Sequence, residues 1–317
     1  MNILKLNLRL FDLNINKTTA LPAEIKTYYS DYLIDNAKPN LVHDQFGQKH
    51  NIPKNGGKSI SFRRFMPFDK ATLSLSEGIT PTGGTLSVTE VTSTLQEYGF
   101  YIALSDMLML TSIDNTILET TKLLGNQAGA TLDTITRDII NSGTNVMYSG
   151  GVSSRSSITE ECKLTVDDIY KAARFLKSQN APKIDGAYVA IIHPDIAYDL
   201  MRDPEWIEVN KYNAATKLFE GEIGKLAGVR FVETSEARTF TTSTLKVYST
   251  MIIGANAYGV TEVSGGGLRT IIKQLGSSGA ADPLDQRASV GWKATRTAER
   301  LVENYMIRIE SASTFSV

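Results

Sequence analysis

The 317-residue chain has a single cysteine, Cys162, and three histidines, His43, His50 and His193. One thiol excludes an internal disulfide and a cysteine-based metal cluster, and it suits a reducing compartment. The histidines lack the spacing of a metal pair, and no His-Glu-x-x-His occurs. Charge of one sign is also missing. Lys and Arg number 33 and Asp and Glu 34, a formal net charge of −1, so bulk electrostatics gives no grip on nucleic acid or a membrane surface. No run approaches the roughly 18 consecutive apolar residues of a membrane span. The opening MNILKLNLRLFDLNINK sets Lys5 and Arg9 within its apolar stretch and has no small-residue cleavage site, so it does not read as a signal peptide. A cytoplasmic protein is expected.

Catalytic signatures are equally scarce. There is no Gly-x-Ser-x-Gly elbow. Gly265-Gly266-Gly267 lacks the register of a dinucleotide fingerprint. His193 and Asp195 fall at the end of a strand, but no nucleophile accompanies them, and His193 reads as the cap of a helix begun by Pro194. Cys162 reads as an idle thiol. No catalytic residue, cofactor site or metal site is expected.

What is present is ordinary globular material: 42% apolar and 21% charged residues, enough for a sizeable core in about two domains. The stretch NGGKSISFRRF (55–65) first suggests a phosphate-binding loop through Gly57-Lys58-Ser59. That motif needs a glycine at position 52, which is Ile52, and a helix downstream. Ile60, Phe62 and Phe65 instead interleave with Ser61, Arg63 and Arg64, the period of a strand opened by a glycine turn.

Other segments follow from their spacing. Residues 1–20 have no helical period and read as an extended arm. Ile25, Tyr29, Tyr32, Leu33 and Asn36 mark a short amphipathic helix, packed on its own domain or on a neighbouring subunit. Residues 56–103 form a long β-hairpin, Lys58–Phe65 outward and Thr85–Ala103 back; a two-stranded ribbon is marginal alone. Its charges, Arg63, Arg64 and Lys70 against Glu77, Glu90 and Glu97, are solvated or pair with an adjacent chain. A stripe through Ile117, Leu124, Ala128, Leu132 and Ile139 predicts a helix over 112–142, about 45 Å long, with Asp133 and Arg137 as an i,i+4 pair. Gly125 within it predicts a close backbone approach or a bend. Thr165 and Asp168 form a capping box, Ala187–Ile192 is a buried strand, and Ala288–Ile309 is a long strand-rich run. The fold class is α+β with a mixed sheet.

Several strings resemble tailed-bacteriophage major capsid (coat) proteins: AKPNLVHDQFGQ (37–48), LSEGITPTGG (75–84), LLGNQAGATLDTITRD (123–138), AIIHPDIAYDL (190–200), GEIGKLAGVRFVET (221–234) and ADPLDQRASVGWKAT (281–295). The resemblance is to the podophage-type coat protein branch. It implies the Johnson fold of the Hong Kong phage type: an N-terminal arm (1–55), an extended loop (56–103), a peripheral domain with a spine helix near 112–142 (104–184 and 263–317), and an axial domain (185–262).

The implied function is a shell of hexamers and pentamers around double-stranded DNA, formed in the host bacterial cytoplasm. Its partners would be a portal protein, a separate scaffold protein, a decoration protein, and packaged DNA by weak contact. Tyr29, Tyr32, Leu33, Arg63, Arg64, Lys70 and Glu77 are the expected inter-subunit contacts. Hinges are expected near Gly47 and Gly56–Gly57. A cellular nanocompartment shell of encapsulin type, or a soluble enzyme using His193, are the alternatives.

Overall fold

The computed structural model describes residues 31–37, 41–53, 55, 57–65, 68, 70–72, 74, 78, 80, 83–112, 115–212, 222–242, 245–263, 267–277 and 282–316. A short helix α1 (31–37) leads to β1 (Gln48–Ile52), β2 (Ser59–Phe65), β3 (Val88–Thr94), β4 (Gln96–Ser105), α2 (Asp106–Thr111) and α3 (Thr116–Asn141). Next come β5 (Val146–Tyr148), α4 (Val166–Ser178), β6 (Tyr188–Ile192), α5 (Pro194–Met201), α6 (Pro204–Tyr212), β7 (Glu222–Leu226) and β8 (Val229–Glu233). The remainder is β9 (Thr239–Thr242), β10 (Leu245–Ile253), β11 (Tyr258–Val263), β12 (Arg269–Lys273), β13 (Arg287–Arg300) and β14 (Met306–Ser311).

The strands make two large sheets and a separate hairpin. The seven-stranded sheet runs β5-β14-β10-β6-β8-β7, with β9 beside β10. It is mixed: β6 lies parallel to β8 and β5 parallel to β14, while the other pairs are antiparallel. Its central strand β6 is buried at every position, as expected of a strand covered on both faces. Tyr188, Ala190 and Ile192 point into a cluster with Ile169, Leu176 and Ile196 of α4 and α5. Val189 and Ile191 point into a second cluster with Tyr258, Val260 and Ala298.

The five-stranded sheet sets β1 parallel to β11, β11 antiparallel to β13, and β12 and β4 antiparallel to β13. Ala288, Val290, Trp292 and Ala294 of β13 face α3 in a third cluster. At 1.5 Å per residue, the 26-residue α3 is about 39 Å long. Its expected stripe is buried through Thr121, Leu124, Ala128 and Leu132. Gly125 explains itself: a Cβ there would come within 2.7 Å of the Leu33 carbonyl oxygen, so α1 can lie this close only over glycine.

Local signals survive folding well. Thr165 Oγ1 accepts from the Asp168 N–H at 3.3 Å and Asp168 Oδ2 from the Thr165 N–H at 3.3 Å, the expected capping box. The NGGKSISFRRF stretch carries β2, a strand and not the start of a helix.

Four expectations need correction. Asp133 and Arg137 do not pair; Asp133 is fully buried and taken by His43, while Arg137 reaches Asp138 at 3.0 Å and the Glu236 carbonyl at 2.8 Å. The return strand of the hairpin is not continuous. β3 pairs with β2, the chain turns inward at buried Ser93 and Leu95, and β4 then joins β13. The long run near the C-terminus also divides, because a 3-10 turn at Glu303–Tyr305 sends β13 and β14 into different sheets. By sheet, β5 and β14 belong to the seven-stranded body with α4 packed on it, and β11 belongs to the other sheet. Finally, Gly47 is a packing glycine, since a Cβ there would come within 2.6 Å of the Tyr258 ring.

Three stretches carry the chain between the sheets, and they bond to one another. Glu303 accepts from the Thr144 N–H at 2.5 Å and from Arg300 at 2.7 Å. The Leu301 and Val302 N–H groups both donate to the Ala257 carbonyl, and the Gly254 N–H donates to the Tyr305 carbonyl at 2.8 Å.

Candidate assembly surfaces

The β2–β3 hairpin is a separate two-stranded ribbon that lies against the body through β2. The register sets Phe62 opposite Val91 and Arg63 opposite Glu90. Phe62 is buried over Gly259, where a Cβ would come within 2.7 Å of its ring. His50 packs edge-on to Phe62 at 5.3 Å. Ser93 and Thr297 share a hydroxyl hydrogen bond of 2.7 Å, and the Arg64 guanidinium lies 5.6 Å over the Tyr305 ring. Away from the root, Phe68 (67% exposed), Leu86 and Val88 are exposed. An apolar group of this kind on a projecting ribbon marks a surface meant for another molecule.

The expected contact residues separate into three groups. Arg63 and Lys70 are exposed. Arg64 is half-buried, with its charge set over Tyr305 of the same chain. Tyr32 is half-buried on α1, and Leu33 is fully buried against the chain's own α3 cluster, so it has no surface left for a neighbour. The α1 helix packs on its own domain. Tyr29 and Glu77 lie outside the described residues.

Sequence reasoning missed the buried charge that fixes the segment after α1. The His43 N–H donates to Asp133 Oδ1 at 2.7 Å, and His43 Nδ1 lies 2.6 Å from Asp133 Oδ2. Asp44 pairs with Arg296 and accepts from Thr136 Oγ1 at 2.7 Å. Burial pushes the Asp44 carboxyl up, against the pull of Arg296. Tyr258 donates its hydroxyl to the His43 carbonyl, and burial raises its phenol well above the ordinary range. A second cluster joins the loop after β5 to strands β14 and β9 of the seven-stranded sheet. Arg155 makes two 2.6 Å bonds to fully buried Glu310, which lift the guanidinium pKa, and its plane lies 3.6 Å from the Phe240 ring. Burial pulls Arg308 down while Glu310 holds it up. Partners 90 or more residues apart leave no local pattern to read.

His193 caps α5, as expected: its Nδ1 accepts from the Asp195 N–H at 3.2 Å. Asp195 is occupied too, by the Tyr248 hydroxyl at 2.5 Å. Burial lowers the His193 pKa, with Asp195 opposing. The group is spent on structure. Among the described residues no group of three or more His, Cys, Asp or Glu could hold a metal ion, and no helix is long and apolar enough to cross a membrane.

Two interlocked sheets, a long helix across one of them and a projecting hairpin define a shell-forming structural protein in the Johnson fold of the Hong Kong phage type. The chain belongs to the phage capsid protein family, whose family model matches residues 89–302. It is a capsid protein of the virion shell. Solved structures agree on the fold. The capsid of Ralstonia phage GP4 superposes with a TM-score of 0.69 at 14% identity, covering 86% of this chain and 88% of that one. The capsid of cyanophage Pam1 gives 0.69 at 12%, covering 89% and 93%, and that of cyanophage P-SCSP1u gives 0.65 at 15%, covering 86% and 89%. No curated protein sequence matches the chain.

Proposed function

We propose that this chain is the major coat subunit of a podophage-type head, closing as hexamers and pentamers into an icosahedral shell around double-stranded DNA. The observation that carries the reading is the hairpin: rooted on its own body at Phe62, yet apolar and uncovered at Phe68, Leu86 and Val88. A neighbouring copy would bury those side chains, and a head-to-tail contact of this kind closes as a ring. The seven-stranded sheet with α4, α5 and α6 would be the axial part and the five-stranded sheet with α3 the peripheral part. Arg63 and Lys70 remain the basic groups that would meet acidic residues of the next subunit, each such exposed pair contributing about 0–1 kcal/mol.

Assembly takes place in the host bacterial cytoplasm, with a separate scaffold protein, a portal protein and a decoration protein as partners. The near-zero net charge fits a container wall that touches DNA weakly. The engagement of His193 in the α5 cap and of the Asp195 carboxylate with Tyr248 supports a non-enzymatic role. The test is electron microscopy with light scattering on the protein expressed alone and with its candidate scaffold. Closed shells or rings of five or six support the reading, and a folded monomer under every condition ends it.

A further inference from the structure

A cavity of about 380 Å³ opens between the hairpin and the body. Burial alternates along β2: Ile60, Phe62 and Arg64 turn to the body, and Ser61 and Arg63 to the outside. Phe62 is 8% exposed and lays down an apolar floor, with Val91 from β3 and Leu301 from the body beside it.

The charge in this cavity is of one sign. The half-buried Arg64 guanidinium lies 5.6 Å over the Tyr305 ring, and it makes no hydrogen bond or ion pair among the described residues. His50, also on the wall, has only its edge-on contact with Phe62. Among the described residues no Asp or Glu lines the space. Glu303 is held by Arg300 and the Thr144 N–H, and Glu90 stands across from Arg63 on the outer side of the ribbon.

A guanidinium fork set over a ring and beside an apolar floor suits one carboxylate that carries apolar groups with it. Partial burial strengthens such a charge-assisted bond. DNA fits less well. A phosphate backbone is held by a row of cations, whereas here one guanidinium stands above Phe62 and Leu301.

We propose, on the coat-subunit reading given above, that this cavity binds an acidic, apolar peptide segment of an assembly partner. One Asp or Glu carboxylate sits on Arg64, and the flanking apolar side chains rest on Phe62, Val91 and Leu301. A second copy is the weaker candidate, because the groups it would cover, Phe68, Leu86 and Val88, lie away from the cavity. A segment seated between hairpin and body fixes the position of the hairpin before a neighbour covers it.

Titration calorimetry on the full chain, at concentrations where light scattering shows a monomer, tests this with acetyl-Leu-Glu-Phe-Leu-amide. The Glu peptide should bind about tenfold more tightly than its Gln counterpart. Arg64→Gln should erase that ratio. Val91→Trp, which fills the cavity and keeps Arg64, should weaken both peptides. Unchanged exchange of the β10 amides shows that each variant is folded. Equal affinity of the two peptides, or a ratio that survives Arg64→Gln, would overturn the proposal. So would the absence of binding, and if Arg64→Gln then also stops shell formation, a second copy fills the cavity instead. The binding is read on the monomer, so shells formed by the wild-type chain would leave the coat-subunit reading standing while the peptide site falls.

Discussion

The two sheets of this subunit are finished to different degrees. In the seven-stranded sheet the central strand is covered on both faces, and every residue of β6 and β14 is buried by the chain's own helices and strands. In the five-stranded sheet only the face toward α3 is sealed. The other face leaves Tyr101 71% exposed and Ile271 beside it uncovered, and the hairpin beyond has no core of its own. Apolar area removed from water contributes about 25 cal/mol per Å². The first half collects that contribution within one chain; the second collects part of it in the cluster against α3 and leaves the rest for contact with something else. Folding and assembly are thus assigned to different halves of one molecule.

Substitutions can break that division, and their effects should run from large to small. Phe231→Ala in the seven-stranded half should lower subunit stability by about 3–5 kcal/mol, because the ring is fully buried against Trp206; denaturant unfolding of the monomer measures it. Phe62→Ala should cost about 1–3 kcal/mol and be felt only locally, with faster exchange of β2 and β3 amides and an unchanged β10. Phe68→Asp with Leu86→Asp should shift monomer stability by no more than about 0.5 kcal/mol, yet shells should vanish from electron micrographs. Shells of normal yield from that variant would remove the hairpin from the assembly interface.

The smallest effect is a pH dependence at the α5 cap. His193 has a folded pKa below its ordinary value through burial, so the folded state disfavours its charged form. The unfolded chain then binds the extra proton first. Stability should fall as pH drops below about 6.5 and level off once the depressed folded value is passed. His193→Asn keeps a cap acceptor and should reduce that acid slope, read from unfolding curves between wild type and variant.

Legibility followed the range of the interaction. The α4 capping box, the Pro194 start of α5, the apolar stripe of α3 and the close approach at Gly125 are local patterns, and each stands in the structure where its spacing put it. The partition of strands between sheets was not readable, because it depends on pairs such as Tyr248 with Ser311 and Tyr258 with Arg300. The same holds for His43 with Asp133 and Asp44 with Arg296. Their chemistry was visible as isolated charged residues, but nothing near them in sequence named the partner. Leu33 shows the reverse error: an apolar helix face is equally suited to the chain's own core and to a neighbour, and only the glycine beneath it decides.

The seam around Glu303 has a mechanical consequence. All three chain crossings are tied to one another there, and the cluster of Val189, Ile191, Tyr258, Val260 and Ala298 is shared by both sheets. Tilting one plate against the other would have to break those ties and shear a close-packed layer at once. Among its described residues the hairpin meets the body along β2, through Phe62 and Arg64, and leaves Phe68, Leu86 and Val88 exposed. In a closed surface whose curvature changes between five-fold and six-fold positions, the body should behave as a rigid tile, and the hairpin as the compliant strap that takes up the difference in angle.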